Sequence, residues 1–474
     1  MRRLAIVASA LALSACAGGP PPEIATPAPV LPVEFYFAPD GQTDTSLAAL
    51  LPEEDPAYDT LSAQALAGSP TLGEAIARID QARTGAGRAG AERLPSIGAN
   101  ASVTGTRTNP AQFGGALPPG IDFDAERVAY AANLTARWDL DIFGRLRAQE
   151  RAALARVDAA DATALAVRNA LLAEIAGSVI DWRTLEARQA EIEDDIEAAE
   201  ELARLAGVRE RAGIAPGFDR VRAESAANAS RSRLAALESE RARLMGRLMT
   251  LTAQSAPQVR SALALEPAAS ELPAPPTALP STLLVNRPDV LAAAATLAAE
   301  DAELAATARR RFPVFDLSAA IGLLAFDPGD LFDEDSVVGS LAAAIAGPLF
   351  DFGRIEAEID GAAAEKRAAF QAYRGAVYTA LGDAETAYGL VAAADRELAA
   401  AQAEADSLQR AARLAETRQE AGLADFLTVL EARRAADASG ERAAAALGRA
   451  KRARVLLWQA LGGDPQPITR STSQ

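Results

Sequence analysis

WDLDIFGRLRAQE, residues 138 to 150, begins with the alternation of a β-strand and ends with the spacing of a helix, and PLFDFGRIEAEID repeats that change at residues 348 to 360. Other landmarks recur around this pair in the same order. Ser69-Pro70-Thr71-Leu72 matches Arg287-Pro288-Asp289-Val290, and Leu94-Pro95-Ser96 matches Phe312-Pro313-Val314, both 218 residues apart. Phe143-Gly144-Arg145 matches Phe352-Gly353-Arg354, and Ala212-Gly213-Ile214-Ala215 matches Ala421-Gly422-Leu423-Ala424, both 209 apart. A constant offset that changes once, by 9, reads as an internal duplication with a longer connection between Pro95 and Phe143 in the first copy. Each copy reads helix, strand, strand, very long helix, turn, helix.

Four strands emerge, as two hairpins. Ile97, Ala99, Ala101, Val103 and Gly105 are apolar or small, while Asn100, Ser102, Thr104 and Thr106 are polar. A period of two puts one set on each face. In the next strand Val128, Tyr130, Ala132, Leu134, Ala136, Trp138, Leu140 and Ile142 share one face, opposite Asn133, Thr135, Arg137, Asp139 and Asp141. The second copy gives Phe315, Leu317, Ala319, Ile321 and Leu323 opposite Asp316 and Ser318, then a weaker alternation through Val337, Leu341, Ile345 and Leu349. Strands of about ten residues with one apolar and one polar face suit a membrane barrel, and Trp138 with Asp139 and Asp141 would sit at its periplasmic rim. A soluble sandwich would also alternate. Four strands cannot close a barrel, and an open edge in lipid leaves costly unpaired backbone groups, so other copies must complete the sheet. Two copies would supply about eight strands, filled by their own side chains, and three about twelve, with room for a channel.

After Gly144 no proline appears until Pro216, and after Gly353 none until Pro465. A helix from Arg145 to about Arg209 would rise roughly 95 to 100 Å. Leu171, Ile175, Trp182, Leu185, Ile192 and Ile196 form a heptad seam, which a free coiled coil or spacer would share. The Phe-Gly-Arg pair then marks where the chain leaves the barrel: Gly144 and Gly353 absorb the turn, Phe143 and Phe352 face lipid or packing, and Arg145 and Arg354 meet a headgroup phosphate or a carboxylate. The alternative is a glycine bend with no specific arginine partner.

The 474 residues are 50% hydrophobic but only 5% aromatic, which favours helices packed through small side chains. A formal charge of -17 argues against a nucleic-acid surface. The chain has no histidine and one cysteine, so histidine-dependent catalysis and an intramolecular disulfide are excluded. The N-terminus MRRLAIVASALALSAC reads as an export signal, and Leu13-Ser14-Ala15-Cys16 resembles the bacterial lipobox, which implies acyl chains on Cys16. Ala17 in place of Asp implies outer-membrane delivery by the same resemblance. The alternative is an ordinary signal peptide containing a cysteine. No later segment reads as apolar enough for a membrane helix, and no metal or other cofactor is expected; the acidic loop FDPGDLFDEDS, 326 to 336, misses the spacing of a calcium loop.

Taken together, the lipobox, LPSTLLVNRPDVLAAAATLAAEDAELAATARRRFP (279 to 313), the paired Phe-Gly-Arg and the two Ala-Gly turns resemble the TolC-like outer-membrane efflux proteins, most closely the lipid-anchored OprM and NodT type of resistance-nodulation-division pumps. The resemblance implies a mainly α fold with transmembrane β: a homotrimer with a twelve-stranded barrel, a twelve-helix tunnel and an equatorial belt. The expected layout is a signal peptide 1–15, a lipid-anchored Pro-rich segment 16–60, a first repeat 61–252, an equatorial linker 253–280, a second repeat 281–462 and a tail 463–474. Strands are expected at about 96–108, 126–142, 314–325 and 336–350, and helices at 145–210, 217–252, 354–420 and 425–461.

The resemblance also assigns roles. The turns RAGIAPGFD and EAGLADFLTVL would form tips that meet a periplasmic adaptor, with Gly213 and Gly422 supplying the turn and Ala215 and Ala424 permitting close approach. Glu431 stands where the family often places an acidic residue facing the pore. Thr428 departs from an Asp found in some relatives, and Asp219, its equivalent in the first copy, is expected to contribute instead. A ring of three carboxylates would attract cations. The reading is a passive exit duct in the outer membrane, extending into the periplasm and supplied by an inner-membrane transporter. The alternatives are an outlet for type I protein secretion or metal efflux, a coiled-coil lipoprotein spacer, and an enzyme using two carboxylates.

Overall fold

The structure, a computed structural model, describes residues 23–39, 45–109, 126–214, 216–268 and 271–465; Cys16 and Ala215 lie outside them. In chain order its main elements are α1 (Pro56–Gly68), α2 (Pro70–Ala91), β1 (Ser96–Arg107), β2 (Glu126–Asp139), α3 (Arg145–Arg211), α4 (Gly217–Thr252), α5 (Ala256–Leu263), α6 (Leu283–Asn286), α7 (Pro288–Ala308), β3 (Val314–Ala325), β4 (Val337–Ala346), α8 (Arg354–Glu420) and α9 (Phe426–Ala460). They fall into two compact units.

Of the described residues, the strand-bearing unit takes those within 23–27, 80–158 and 294–371. Its strands form one antiparallel sheet in the order β1-β2-β3-β4. Ser96 faces Arg137 in the first hairpin and Val314 faces Ala346 in the second. The shift of 218 carries Ser96 to Val314 and that of 209 carries Arg137 to Ala346, so the duplication holds to the residue in the backbone pairing. Across the middle of the sheet Leu134 meets Ile321 and Trp138 meets Leu317, while Asn133, Thr135 and Arg137 meet Gly322, Ala320 and Ser318 on alternate positions. Ile97, Val103, Leu134, Ile321, Leu341 and Ile345 are all exposed, so the chain leaves its own apolar sheet face uncovered. Water would penalise such a face; hydrocarbon would not.

Two strands end earlier than the alternation suggested. β2 stops at Asp139, although the Leu140 N–H still donates to the Phe315 carbonyl at 3.0 Å, because Asp141 turns the chain with φ +46. β4 stops at Ala346, two residues before Pro348, which has no N–H for a ladder. Beneath the second hairpin Leu304 and Ala308 of α7 pack on Ile355, Ile359 and Ala363 of α8, with Ile24 against them.

The helical unit takes Ala28–Ile79, Ala159–Ala293 and Ala372–Gln474. Its main core gathers Ile175, Val179 and Trp182 with Val377, Ala384, Tyr388, Leu457 and Trp458. Along α3 the seam residues Leu171, Ile175, Trp182, Leu185 and Ile192 are buried and Ile196 is partly so. One stretch of α3 reaches a mean hydropathy of 1.4, which corrects the expectation that no helix is apolar enough to cross a membrane; 61% of it is buried, so that apolarity belongs to helix packing. Small residues bring α3 and α9 together: a Cβ added at Gly448 would collide with Thr184, and one at Gly440 with Glu191.

The stretch 253–280 is more than a linker. Ser255 and Gln258 form a capping box that starts α5, whose Val259, Ala262 and Leu263 are buried. The Arg-Pro-Asp run beyond it also has a structural reason. Arg287 is buried, and its guanidinium donates to Asp289 (3.0 and 2.7 Å), to Asp383 on α8 (2.9 Å) and to the Ala460 carbonyl of α9 (3.2 Å). Pro288 begins α7, where a missing N–H costs nothing. Nearer the N-terminus Phe35 packs on the Tyr388 ring at 5.5 Å, and the Tyr36 and Phe37 N–H groups donate to Glu385.

Candidate functional site

Each long helix closes with the same motif. At the end of α3, Gly213 takes φ +70, its N–H donates to the Glu210 carbonyl at 2.9 Å, and Ile214 N–H reaches back to Arg209 at 2.9 Å. At the end of α8, Gly422 takes φ +72 and bonds Gln419 at 2.9 Å, while Leu423 N–H bonds Arg418 at 2.7 Å. This is the glycine-terminated helix end in which the last free carbonyls are satisfied by the turn itself. It leaves Ile214 and Leu423 exposed, with Phe218 and Val221 exposed on the first turns of α4. Ala424 is half-buried.

Entry into the second helix of each pair differs. α4 starts from Pro216, which offers no side-chain cap. α9 starts from Asp425, whose carboxylate accepts from both the backbone N–H (2.8 Å) and the hydroxyl (2.5 Å) of Thr428. Those two bonds hold the Asp425 carboxyl below its usual range. Thr428 serves this cap.

Glu431 lies one turn further, exposed, and pairs with Arg222 of α4 at 3.4 Å. Its carboxylate therefore has a guanidinium of the same chain beside it. Asp219 is half-buried on the first turn of α4. Around the tips Arg220 bridges Glu210 (2.8 Å) and Glu224 (2.7 Å), and Arg433 pairs with Glu416. Under them lies a core of small side chains, Ala199, Ala206, Ala223, Ala227 and Ala415, closed by Leu202, Phe426 and Leu430. Close helix approach is what such residues permit.

Further along the same helices is a charged cluster that sequence reading missed. Asp195 of α3 is buried, accepts from Ser230 and pairs with Arg233 of α4 at 2.7 Å. Arg233 also reaches Glu441 of α9 at 3.0 Å, which meets Arg188 of α3 at 2.9 Å. Asp437 of α9 adjoins Asp195; burial first, then the hydrogen bond and charge of Asp195, push its carboxyl up to about 7, against the pull of Arg433.

The junctions at Phe-Gly-Arg are alike in outline and unlike in partners. In the first, Asp141 caps α3 by accepting from Leu146 (2.8 Å) and Arg147 (2.9 Å), Gly144 takes φ +76, and Arg145 pairs with Asp139 at 2.8 Å. Phe143 stacks on Phe312 with ring centroids 4.7 Å apart. In the second, Asp351 accepts from Ile355 at 2.8 Å, Gly353 takes φ +85, and Arg354 pairs with Glu358 of its own helix at 2.7 Å. Phe352 is wholly exposed. Each arginine therefore has a carboxylate partner, and of the two phenylalanines only Phe143 is packed by this chain.

Over residues 61–254 and 279–463 the sequence matches the family described as outer membrane efflux protein. It is 30% identical to the pyoverdine export outer membrane protein OpmQ of Pseudomonas aeruginosa, with 98% of each chain covered. It is 29% identical to the solvent efflux pump outer membrane protein SrpC of Pseudomonas putida, over 89% of this chain and 90% of that one. Among solved structures, the outer-membrane channel OprN superposes with a TM-score of 0.81 at 26% identity, covering 94% of this chain and 99% of the other. The outer membrane protein VceC of Vibrio cholerae superposes with a TM-score of 0.77 at 25% identity, covering 86% and 97%.

Proposed function

The chain belongs to the outer membrane efflux protein family and is the outer-membrane channel of an efflux system, and from that premise we propose how it conducts. Three copies join edge to edge, giving a barrel of about twelve strands, wide enough for an aqueous channel. α3, α4, α8 and α9 of each copy continue it as a tunnel of helices toward the inner membrane. Small molecules delivered by an inner-membrane transporter of the resistance-nodulation-division class pass through a periplasmic adaptor that seats on the tips at Gly213 and Gly422, where Ala215 and Ala424 let the helices approach. The duct supplies no energy; its lumen is a polar strand face of Asn100, Ser102, Thr104, Asn133 and Thr135. Asp219 and Glu431 stand near the narrow end and bias it toward cations. Lipid on Cys16 holds the mature N-terminus at the outer membrane.

The observation that carries this reading is the four-stranded sheet, whose apolar face is uncovered and whose two edges are open among the described residues. A coiled-coil spacer has no use for such a sheet. The test is purification in detergent followed by planar-bilayer recording. A heat-modifiable trimer that conducts ions is the expected result; a water-soluble monomer without conductance overturns the proposal.

A further inference from the structure

β1 and β4 each have one ladder partner, so each presents an unpaired edge among the described residues. Which residues meet across the join between copies is written in the duplication. Within the chain, the end of the first hairpin meets the start of the second through β2 and β3. Carried forward by 209 on one strand and back by 218 on the other, that pairing becomes a pairing of β4 with β1. We propose that β4 pairs with β1 of a second copy in a single register, with Ala344 opposite Ser102, Ala346 opposite Asn100 and Ala342 opposite Thr104. The inference rests on the reading above that copies complete one another's sheet, and it deepens that reading by naming the seam.

Three further observations agree with it. The first is side-chain fit. The register places Ile345 opposite Ala101, Ala343 opposite Val103 and Leu341 opposite Gly105, so that in these three pairs a large apolar residue meets a small one; a slip by one residue would turn apolar residues against polar ones. A slip by two in one direction would set Leu341 against Arg107.

The second is backbone chemistry. Leu140 donates to Phe315, which makes that pair hydrogen-bonded and its neighbour Asp139 with Asp316 non-hydrogen-bonded. The shift carries the latter to Pro348 opposite Gly98. The missing N–H of Pro348 thereby falls on the side away from the seam, where no seam hydrogen bond needs it.

The third is exposure. The same shifts carry Phe143 to Phe352, and its neighbours Phe312 and Phe315 to Leu94 and Ile97. The first group is packed within the chain. The second is 102%, 65% and 78% exposed, and Phe352 holds φ +56, a conformation rare for a bulky residue. An apolar group held open on both edges of one sheet fits closure by another copy of the same chain.

The experiment uses paired cysteines in the full-length lipoprotein. Directly opposed residues of a non-hydrogen-bonded pair have Cα atoms about 4.5 Å apart, within disulfide reach, while a slip by two residues adds about 6.6 Å and is out of reach. Ser102→Cys with Ala344→Cys should convert most of the protein to covalent dimer and trimer on denaturing gels after mild oxidation. Asn100→Cys with Ala346→Cys should do the same. Ser102→Cys with Ala342→Cys, or with Ala346→Cys, should stay at the level of the single variants. Efficient cross-linking by a slipped pair overturns the register. Failure of both in-register pairs, while single variants still run as trimers unheated, overturns the seam itself. A parent protein that forms no trimer sinks the function proposed above as well, so the two failures are told apart.

Discussion

Arg222 and Glu431 occupy equivalent positions of the two copies, 209 residues apart, and their side chains meet at 3.4 Å. One position, inherited twice, has taken opposite charges and paired with its own duplicate across α4 and α9. Both groups are substantially exposed, so the pair contributes about 1 kcal/mol or less to stability. Its effect is on the local field.

Removing either partner should therefore move ion preference in opposite directions. Arg222→Ala frees the carboxylate and is expected to raise cation preference in planar bilayers. Glu431→Ala leaves the guanidinium and is expected to lower it. If reversal potentials match the parent in both variants, Glu431 is not at the narrow end.

Gly213→Leu and Gly422→Leu test the tips. The left-handed backbone costs each about 1 to 2 kcal/mol, and nothing lies within 4 Å of the added Cβ, so trimers should persist. Export of a fluorescent substrate is expected to fall severalfold. Normal efflux at normal surface level would remove the adaptor role from these turns.

Asp437 gives a pH signature. Its carboxyl is raised from 3.8 to about 7, so the folded protein holds a proton that the unfolded chain has already lost. That contribution is complete below about pH 4, where both states are protonated, and is lost as pH rises through about 7. Asp437→Asn, which stays neutral throughout, should gain on the parent in thermal midpoint between pH 4 and 7 and hold a constant advantage above. A difference between the two proteins that ignores pH would refute the shift.

Arg287→Ala should destabilise by about 2 to 3 kcal/mol, because it strips partners from Asp289, Asp383 and the Ala460 carbonyl, the carboxylates being half-exposed and able to rehydrate. Arg287→Lys keeps the charge but loses the fork and should recover only part of it. Denaturation of the two variants side by side measures both.

Gly448→Val should cost about 1 to 3 kcal/mol, since the new side chain meets Thr184 of α3. Adding Thr184→Ala to Gly448→Val should restore part of the loss.

Much of this architecture is legible in the sequence because duplication and periodicity are one-dimensional signals. Period two marked the strand faces around Leu134 and Ile321, and the absence of proline between Gly144 and Pro216 marked the 67 residues of α3. Strand ends were less legible, since apolar alternation runs past Asp139 into Leu140 and Ile142 while the backbone has already turned at Asp141. Partnerships were the least legible. Nothing local announces that Arg145 meets Asp139, or that Asp195, Arg233, Asp437 and Glu441 converge from three helices. The Asp425 cap was available as an Asp three residues before Thr428. So was the Arg222–Glu431 pair, since the 209-residue offset carries Arg222 onto Glu431.

α3 and α8 are each 67 residues long, without a residue gained or lost between the copies. They behave as matched rulers: seven residues inserted into one alone would push its turn about 10 Å beyond the other. Tolerated length changes in this protein should come in twos, the same increment written at both addresses.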